Sequence, residues 1–128
     1  NGKFLRGDIL LRPREDKWDS RKIGICPPPI ETKKGWLILY HGISKDFSYR
    51  VGAALLDLNN PLKVIARSDY PVLEPEEAYE KQGQVANVVF PCGAVVLNGE
   101  LFVYYGGADT VVGVATIKID KLLEGLTK

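Results

Sequence analysis

The sequence has little of what marks membrane, secreted and nucleic-acid-binding proteins. It has no methionine and only one histidine in 128 residues, and no apolar run approaches the roughly 20 residues that a membrane helix needs. Its 17 basic and 16 acidic residues nearly cancel, without a basic cluster of the kind that binds nucleic acid. The start lacks the apolar core of a signal peptide, although the missing initial methionine leaves a removed leader open. We therefore expect a cytoplasmic protein with no nucleic-acid or membrane partner.

The two cysteines favour neither a metal site nor a disulfide. Cys26 and Cys92 each lie near proline in apolar surroundings, without CxxC spacing and without a histidine beside them. We therefore predict buried free thiols and no metal site.

Two similar stretches about 60 residues apart indicate an internal repeat. The run Trp36–Gly42 aligns with the run Glu100–Gly106, and a second apolar run with small residues at matching places follows each. A proline-containing segment precedes each, at Pro27–Pro29 and at Pro91. Short strands joined by tight turns such as Asn98-Gly99 fit a propeller blade better than a sandwich. The pattern predicts an all-β fold, a partial β-propeller of about two blades of antiparallel strands, with a small barrel or sandwich as the alternative.

The repeat divides the single predicted unit, residues 1–128, into two blades and a short C-terminal helix. One blade covers about residues 10–67 and the next about 82–119, with an irregular connection between them. The helix covers residues 120–126, with Asp120 as its expected N-cap. Because blades bury their faces against neighbouring blades, two alone would leave apolar edges exposed. We expect either further blades N-terminal to this chain or a homo-oligomer.

Polar side chains stand where the apolar runs end. Lys22, His41, Tyr49 and Arg50 offer an ammonium, an imidazole, a phenol and a guanidinium, which is the mixture of donors that a phosphate oxyanion requires. In a propeller the innermost strands bring such residues to a central channel. Each of them alone is better explained as a structural or solvated residue, so the predicted anion site depends on their convergence.

Asp109 follows a run of two tyrosines and two glycines, Tyr104–Gly107. An aromatic face packs on the C–H side of a pyranose while a carboxylate accepts hydrogen bonds from its hydroxyl groups. Tyr105 and Asp109 are therefore candidates for sugar binding, and a turn aspartate that caps its own backbone is the alternative. No pair of carboxylates can be assigned to acid and base work, which a glycosidase needs. A phosphorylase needs only one carboxyl group, because phosphate is the nucleophile.

These residues, taken in order from about Leu10 to Ile119, resemble the later half of the mannoside phosphorylases of glycoside hydrolase family 130. The motifs that carry the resemblance are Trp18-Asp19-Ser20, Lys22-Ile23-Gly24, Pro27–Thr32, Gly35–Gly42, Tyr49-Arg50, Leu55–Leu58 and Tyr104–Asp109. The resemblance implies a five-bladed β-propeller that cleaves the β-mannosidic bond of a mannoside or manno-oligosaccharide with inorganic phosphate. The anomeric centre is inverted to give mannose 1-phosphate. Phosphate is a co-substrate, and no cofactor or metal is implied.

The matching motifs imply roles for particular residues. The implied phosphate-binding residues are Lys22, His41 and Tyr49, with Arg50 beside them. The implied sugar-binding residues are Asp109, for the mannosyl hydroxyls, and Phe90, beside the acceptor. No catalytic residue is expected in this chain, because the family's general-acid aspartate belongs to an earlier blade. Cys26 departs from the family pattern, which has a small residue before the prolines.

Three functions stay open. The first is part of a β-mannoside phosphorylase, inactive as an isolated chain. The second is a non-catalytic sugar- or anion-binding or structural module that oligomerises. The third is a β-mannoside hydrolase of the same family. The presence of Lys22, His41 and Tyr49 favours phosphorolysis over hydrolysis, because these groups would serve phosphate.

Overall fold

The computed structural model describes residues 2–4 and 7–128, in which the strands form two antiparallel sheets. The strands of the first sheet are β1 (Lys22–Ile25), β2 (Ile30–Thr32), β3 (Gly35–Ile43), β4 (Tyr49–Leu56) and β5 (Val64–Arg67). β1 and β2 both pair with β3, along the same edge and in succession. Three consecutive prolines separate them, and proline cannot donate a hydrogen bond to a ladder. The outer strand of this sheet is therefore divided in two.

The second sheet has three strands in chain order. They are β6 (Val89–Leu97), β7 (Glu100–Gly107) and β8 (Val111–Lys118). Asn98 and Gly99 join β6 to β7 with φ angles of 52° and 75°, which a type I′ turn requires. The pairing of β6 with β7 shifts between Pro91 and Gly93, so Cys92 is the extra residue of a β-bulge.

The strand register aligns the two repeats one residue differently from the sequence. Tyr40 lies opposite Gly52, and Tyr105 lies opposite Gly113. Each ring covers its glycine so closely that an added Cβ would lie 2.5 Å from Tyr40 Cζ or 2.8 Å from Tyr105 Cζ. Tyr105 thus corresponds to Tyr40, and the predicted match of Tyr105 with His41 was wrong. The alignment of the two stretches matched the aromatic residue that precedes a glycine in each. It could not show which aromatic ring lies opposite a glycine of the neighbouring strand.

The main core lies between the two sheets and is completed by the C-terminal helix. Its members alternate along the strands, as burial of one face of each sheet requires. They are Leu37, Leu39, Val51, Ala53, Leu55, Val89, Leu101, Val103, Tyr105, Leu122 and Leu123. Each fully buried leucine or valine stabilises the fold by roughly 1.5–3 kcal/mol relative to an exposed one. The opposite face of the first sheet packs against Leu10 and Leu11, so β3 is buried on both sides.

The opposite face of the second sheet is open. Register places Phe102 beside Val95, and it places Tyr104 beside Val114 on the same face. Val112 is 84% exposed and Val114 51% exposed. We call these five residues, Val95, Phe102, Tyr104, Val112 and Val114, the open face.

Asp19 is fully buried beside the first sheet, where three side chains surround its carboxylate. Arg14 and Arg67 each donate from Nη2 to Oδ2 at 2.8 Å, and Tyr40 donates its hydroxyl to the same oxygen at 2.8 Å. Burial alone would raise the pKa of Asp19, but the hydrogen bonds and the two positive charges hold the pKa below its ordinary value. Arg14 also donates to the carbonyl of Ser68 at 2.9 Å. The cluster therefore fastens the segment before β1 to the chain that leaves β5.

The connection between the sheets contains one turn of helix, α1 (Ala78–Lys81), within an otherwise irregular path. Glu80 of this turn is buried, and its Oε1 accepts hydrogen bonds from the backbone N–H groups of Glu76 and Glu77 at 2.8 and 2.9 Å. Farther along, the N–H of Tyr49 donates to the carbonyl of Asn87 at 2.9 Å. The connection is thus held along β4 before β6 begins.

The C-terminal helix, α2 (Ile119–Leu126), packs Leu122 and Leu123 into the main core. Its N-cap is Lys118, so the prediction of Asp120 as N-cap was wrong. Asp120 lies in the first turn, where an acidic residue favours the helix dipole, and it pairs with Lys33 at 3.0 Å. None of the helices in the described part of the chain has the length and apolar character needed to cross a bilayer.

Candidate functional site

The candidate site begins where β1 lies against β3. His41 of β3 lies opposite Gly24 of β1, and the imidazole covers that glycine. A Cβ at position 24 would lie 2.5 Å from His41 Cε1, so only glycine leaves room for the ring in this position. A glycine inside the short strand Lys22–Ile25 is thus explained by the histidine across from it.

Two rings from other strands lie next to His41, and we call the three together the ring cluster: His41, Tyr49 and Phe90. The centroids of His41 and Phe90 are 4.3 Å apart with the rings nearly parallel. The centroid of Tyr49 lies 6.0 Å from that of His41 and 6.2 Å from that of Phe90. Because Phe90 belongs to the second sheet and the other two belong to the first, the ring cluster is built across the junction of the sheets.

His41 is held as a neutral imidazole at the pH of most cells. Burial lowers its pKa below the ordinary value of 6.5, and the positive charge of Lys22 lowers the pKa further. Its Nδ1 atom is buried and has no hydrogen-bond partner among residues 2–4 and 7–128. A buried polar atom without a partner is rare in folded proteins, so Nδ1 has capacity for a ligand or a water molecule. Lys22 stands exposed at the start of β1 as a nearby positive charge.

A cavity of about 270 Å³ lies beside the ring cluster. Tyr49, Phe90 and Asp109 line it together with Val85, Val88, Cys92 and Gly106. Asp109 reaches it from the turn between β7 and β8, where Ala108 and Asp109 have φ angles of 47° and 53°. The N–H of Ala108 donates to the carbonyl of Val88 at 2.9 Å, which fixes this turn to the chain before β6. Positive φ angles at these two positions are those of the tight connection that joins the paired strands β7 and β8.

The structure does not bring Arg50 to this cavity. Successive side chains of a strand point to opposite faces, so Arg50 projects away from its neighbour Tyr49. Its Nη1 donates to Ser44 Oγ at 2.9 Å. It lines a second, larger cavity of about 870 Å³ with Ser44, Asp46 and Tyr70, among others. Any anion bound by the ring cluster would lie on the other side of β4 from this guanidinium.

Tyr105 lies in the main core and does not line the cavity. Its side chain is buried, its hydroxyl donates to Glu80 Oε2, and the hydroxyl of Tyr79 lies 3.2 Å away. Burial and the adjacent carboxylate raise the pKa of Tyr105. A sugar could not stack on this ring without unpacking the core. Tyr104, its neighbour, is half exposed on the open face.

At and around the cavity, the structure places cysteines and glycines to which the sequence assigned no role in the site. Cys92 is exposed at the β-bulge and Cys26 is exposed after β1, so the prediction of buried thiols was wrong, whereas both are free as expected. Apolar neighbours in the sequence gave no hint that a bulge would turn Cys92 outward. Gly24 and Gly106 were detectable in principle, since glycine inside a strand often marks a close approach of another group. In the described ranges, no three of the residue types His, Cys, Asp and Glu cluster as metal ligands would.

Comparison with known proteins assigns the family. A family model for glycoside hydrolase family 130, described as beta-1,4-mannooligosaccharide phosphorylase, matches residues 3–128. The chain belongs to glycoside hydrolase family 130. This confirms the resemblance that its motifs indicated.

Several family 130 proteins are similar over most of this chain. A β-1,2-mannobiose phosphorylase of Thermoanaerobacter sp. (strain X514) is 53% identical over 112 residues, which are 88% of this chain and 37% of that protein. The structure of β-1,2-mannobiose phosphorylase from Listeria innocua with β-1,2-mannobiose has a TM-score of 0.89 and 46% identity, covering 91% of this chain and 33% of that one. A family 130 structure, described with glycoside hydrolases that target β-1,2 mannosidic linkages in Candida mannan, has a TM-score of 0.79 and 36% identity, covering 87% and 34%.

The family 130 likeness confirms the predicted fold class, an all-β partial β-propeller with a short C-terminal helix. The chain spans about a third of the length of the relatives that it matches.

Proposed function

We propose that this chain is part of a β-mannoside phosphorylase, to which it contributes groups that bind phosphate and the mannosyl unit. The observation that carries the proposal is the convergence of Tyr49, Phe90 and Asp109 on one cavity, with His41 stacked on Phe90 and Lys22 close enough to lower the histidine pKa. The relatives named as mannobiose phosphorylases support it.

The proposed anion site uses donors of three kinds. The ammonium of Lys22, the neutral imidazole of His41 and the phenol of Tyr49 can each donate a hydrogen bond to a phosphate oxygen. A neutral histidine donates through one nitrogen, and the buried Nδ1 has no hydrogen-bond partner in the described part of the chain. Arg50 is not included, because it projects from the other side of β4.

The proposed sugar site lies across the same cavity. The carboxylate of Asp109 accepts hydrogen bonds from adjacent hydroxyl groups of the mannosyl unit, and the ring of Phe90 offers an apolar wall to its C–H face. A phosphate oxygen then attacks the anomeric carbon while the bond to the leaving oxygen breaks. The chemistry requires a general acid to protonate that oxygen, and we propose that it comes from outside these 128 residues. The products are mannose 1-phosphate and the released acceptor.

The proposed reaction consumes inorganic phosphate as a co-substrate. It requires neither a metal ion nor an organic cofactor. Inorganic phosphate and a β-mannoside or manno-oligosaccharide are the proposed substrates. A process that conserves a sugar phosphate suits the cytoplasm, which is the compartment that we propose.

The test uses the complete polypeptide that carries this chain, with mannose 1-phosphate release as the measurement. Lys22→Ala is expected to raise KM for phosphate about 10- to 100-fold, because a hydrogen bond to a charged group contributes roughly 1.5–3 kcal/mol. Asp109→Asn is expected to raise KM for the mannoside by a similar factor and to leave KM for phosphate nearly unchanged. Lys121→Ala, an exposed change on α2, is the matched control and should alter neither.

The alternatives give different results. Equal sugar release with and without phosphate would show hydrolysis. Binding without turnover in the complete polypeptide would show a non-catalytic module. Turnover by the isolated 128-residue chain would contradict the assignment of the general acid to another segment.

A further inference from the structure

The two cysteines meet at the junction of the two sheets. Cys26 follows β1 and Cys92 is the bulge residue of β6. Ile25 pairs with Tyr40 in the first sheet, and Pro91 pairs with Tyr105 in the second. Because Tyr40 and Tyr105 are equivalent, the residues that follow Ile25 and Pro91, Cys26 and Cys92, are equivalent too. The thiols therefore occupy equivalent positions in the two repeats.

Both thiols contact the backbone of the segment that carries the bulge. The Sγ atom of Cys26 lies 3.7 Å from the carbonyl oxygen of Cys92. The Sγ atom of Cys92 lies 3.6 Å from the carbonyl oxygen of Phe90. Although Cys92 is exposed as a residue, burial of its sulfur raises the pKa of its thiol, and interaction with Cys26 raises that pKa further. Both residues are exposed, so a small reagent can reach them.

We propose that Cys26 and Cys92 form a reversible disulfide that joins the first sheet to the second beside the candidate site. The oxidant is a low-molecular-weight disulfide such as oxidised glutathione. This site is independent of the proposed function, since it needs neither phosphate nor a sugar.

The exchange balances in two steps. One cysteine loses its proton and attacks a sulfur atom of oxidised glutathione, which breaks that S–S bond and releases one glutathione thiolate. The second cysteine loses its proton and displaces the other glutathione from the mixed disulfide. The two protons end on the two glutathione thiols, so the cysteines are oxidised as glutathione is reduced.

The bond would have a structural consequence that each thiol alone cannot have. The two cysteines are 66 positions apart, so the disulfide would close a long loop that includes β3, β4 and β5. Closing a long loop restricts the unfolded chain and stabilises the folded one. Since Cys92 lines the cavity, the bond would also fix one wall of it.

The experiment exposes the reduced, folded chain to oxidised glutathione and follows intact mass, free thiols and thermal unfolding. We expect the loss of both thiols, a mass lower by two hydrogen atoms, one peptide pair linked through Cys26 and Cys92, and full reversal by dithiothreitol. The unfolding midpoint is expected to rise by about 5–15 °C. Cys26→Ser and Cys92→Ser are the matched controls, and each should retain a single glutathione adduct without a stability gain.

Other products would overturn the proposal. Two stable glutathione adducts on one chain would show that the thiols cannot reach each other in the folded protein. A disulfide between two chains would assign the thiols to an intermolecular contact. An internal disulfide that leaves the unfolding midpoint unchanged or lower would contradict the tether between the sheets.

Discussion

His41 is placed where its protonation is linked both to folding and to ligand binding. Its ring lies over Gly24, its flat face is against Phe90, and Lys22 contributes positive charge nearby. Each of these surroundings favours the uncharged imidazole. An anion bound at the same place would favour the charged form.

We expect the stability of the chain to fall as the pH is lowered from 6.5, the ordinary histidine pKa, through the lower pKa of His41 in the folded protein. Between these two pKa values His41 is protonated in the unfolded chain but not in the folded protein, so protonation favours unfolding. Urea unfolding at pH 7.5 and at successively lower pH values measures the effect. His41→Gln should lose the part of the pH dependence that lies above pH 4.5.

The carboxylates with lowered pKa values lose their contribution to stability at lower pH than His41 does. The pKa values of Asp19, Asp46 and Glu80 are lowered from 3.8 or 4.5, so these groups titrate below that window. Phosphate should move the NMR titration of His41 to higher pH if it binds beside the ring. An unchanged pH dependence in His41→Gln would show that other groups control stability in this range.

Each sheet is anchored by a tyrosine that covers a glycine and reaches a buried carboxylate. In the first sheet Tyr40 covers Gly52 and donates to Asp19. In the second sheet Tyr105 covers Gly113 and donates to Glu80. The carboxylates come from unrelated segments, one before β1 and one in α1. The two blades thus use the same arrangement with different sequence.

Gly52→Ala is expected to lower the free energy of unfolding by about 1–3 kcal/mol, as overpacking of a filled site does. The new Cβ would lie 2.5 Å from Tyr40 Cζ and 2.6 Å from Trp18 Cη2, so the ring pair must shift. Chemical denaturation of the purified chain measures the loss. The control is Gly106→Ala in β7, where no heavy atom lies within 4 Å of the added Cβ and the change should stay within about 0.5 kcal/mol. Equal effects at both positions would mean that strand propensity, not the contact with Tyr40, determines the cost.

The strands and the Asn98-Gly99 turn could be predicted from sequence because their signals are local. Alternating or continuous apolar runs mark strands, and Asn-Gly supplies the positive φ angles of the turn. Tyr49 and Asp109 were expected at a common site because they stand at the ends of apolar runs, whereas Phe90 was implied by the family resemblance; the three come from β4, the turn after β7 and β6.

The exceptions had different causes, of which only some lie outside the local sequence. Tyr105 follows the same apolar pattern as a ring at a site, but it is buried because Glu80 of α1 lies against its hydroxyl. Arg50 is adjacent to Tyr49 in sequence, yet strand geometry sends it to the opposite face. Cys92 is exposed because the bulge interrupts the alternation of β6. The nearby sequence gives no signal for the contact of Tyr105 or for the bulge at Cys92, whereas the alternation that separates Arg50 from Tyr49 follows from their adjacency in the strand.

Within residues 2–4 and 7–128, the interface between the two sheets is well filled, whereas the open face has no partner. The open face includes Val112, which is 84% exposed, and it belongs to the sheet in which β8 is the last strand among the described residues. Exposed apolar faces and unpaired strand edges promote association. This surface supports the proposal that further blades, or other copies of this chain, cover the open face.

We expect the 128-residue chain to self-associate as its concentration rises, with light scattering as the measurement. Val112→Glu and Val112→Lys should both lower the average mass, because either charge would have to be buried in the contact. Leu62→Glu, at an exposed apolar residue outside the open face, is the control and should leave association unchanged. A monomer at every concentration would contradict the proposal.

The partners of the buried Asp19 carboxylate are all synthesised before the strands of the second sheet. Its carboxylate, its two guanidinium groups and its phenol all come from residues 14–67, ahead of β6 in the chain. A ribosome that has released this stretch has already released every counter-charge that the carboxylate requires. The buried charge of Asp19 can therefore be paired before the second sheet has been synthesised.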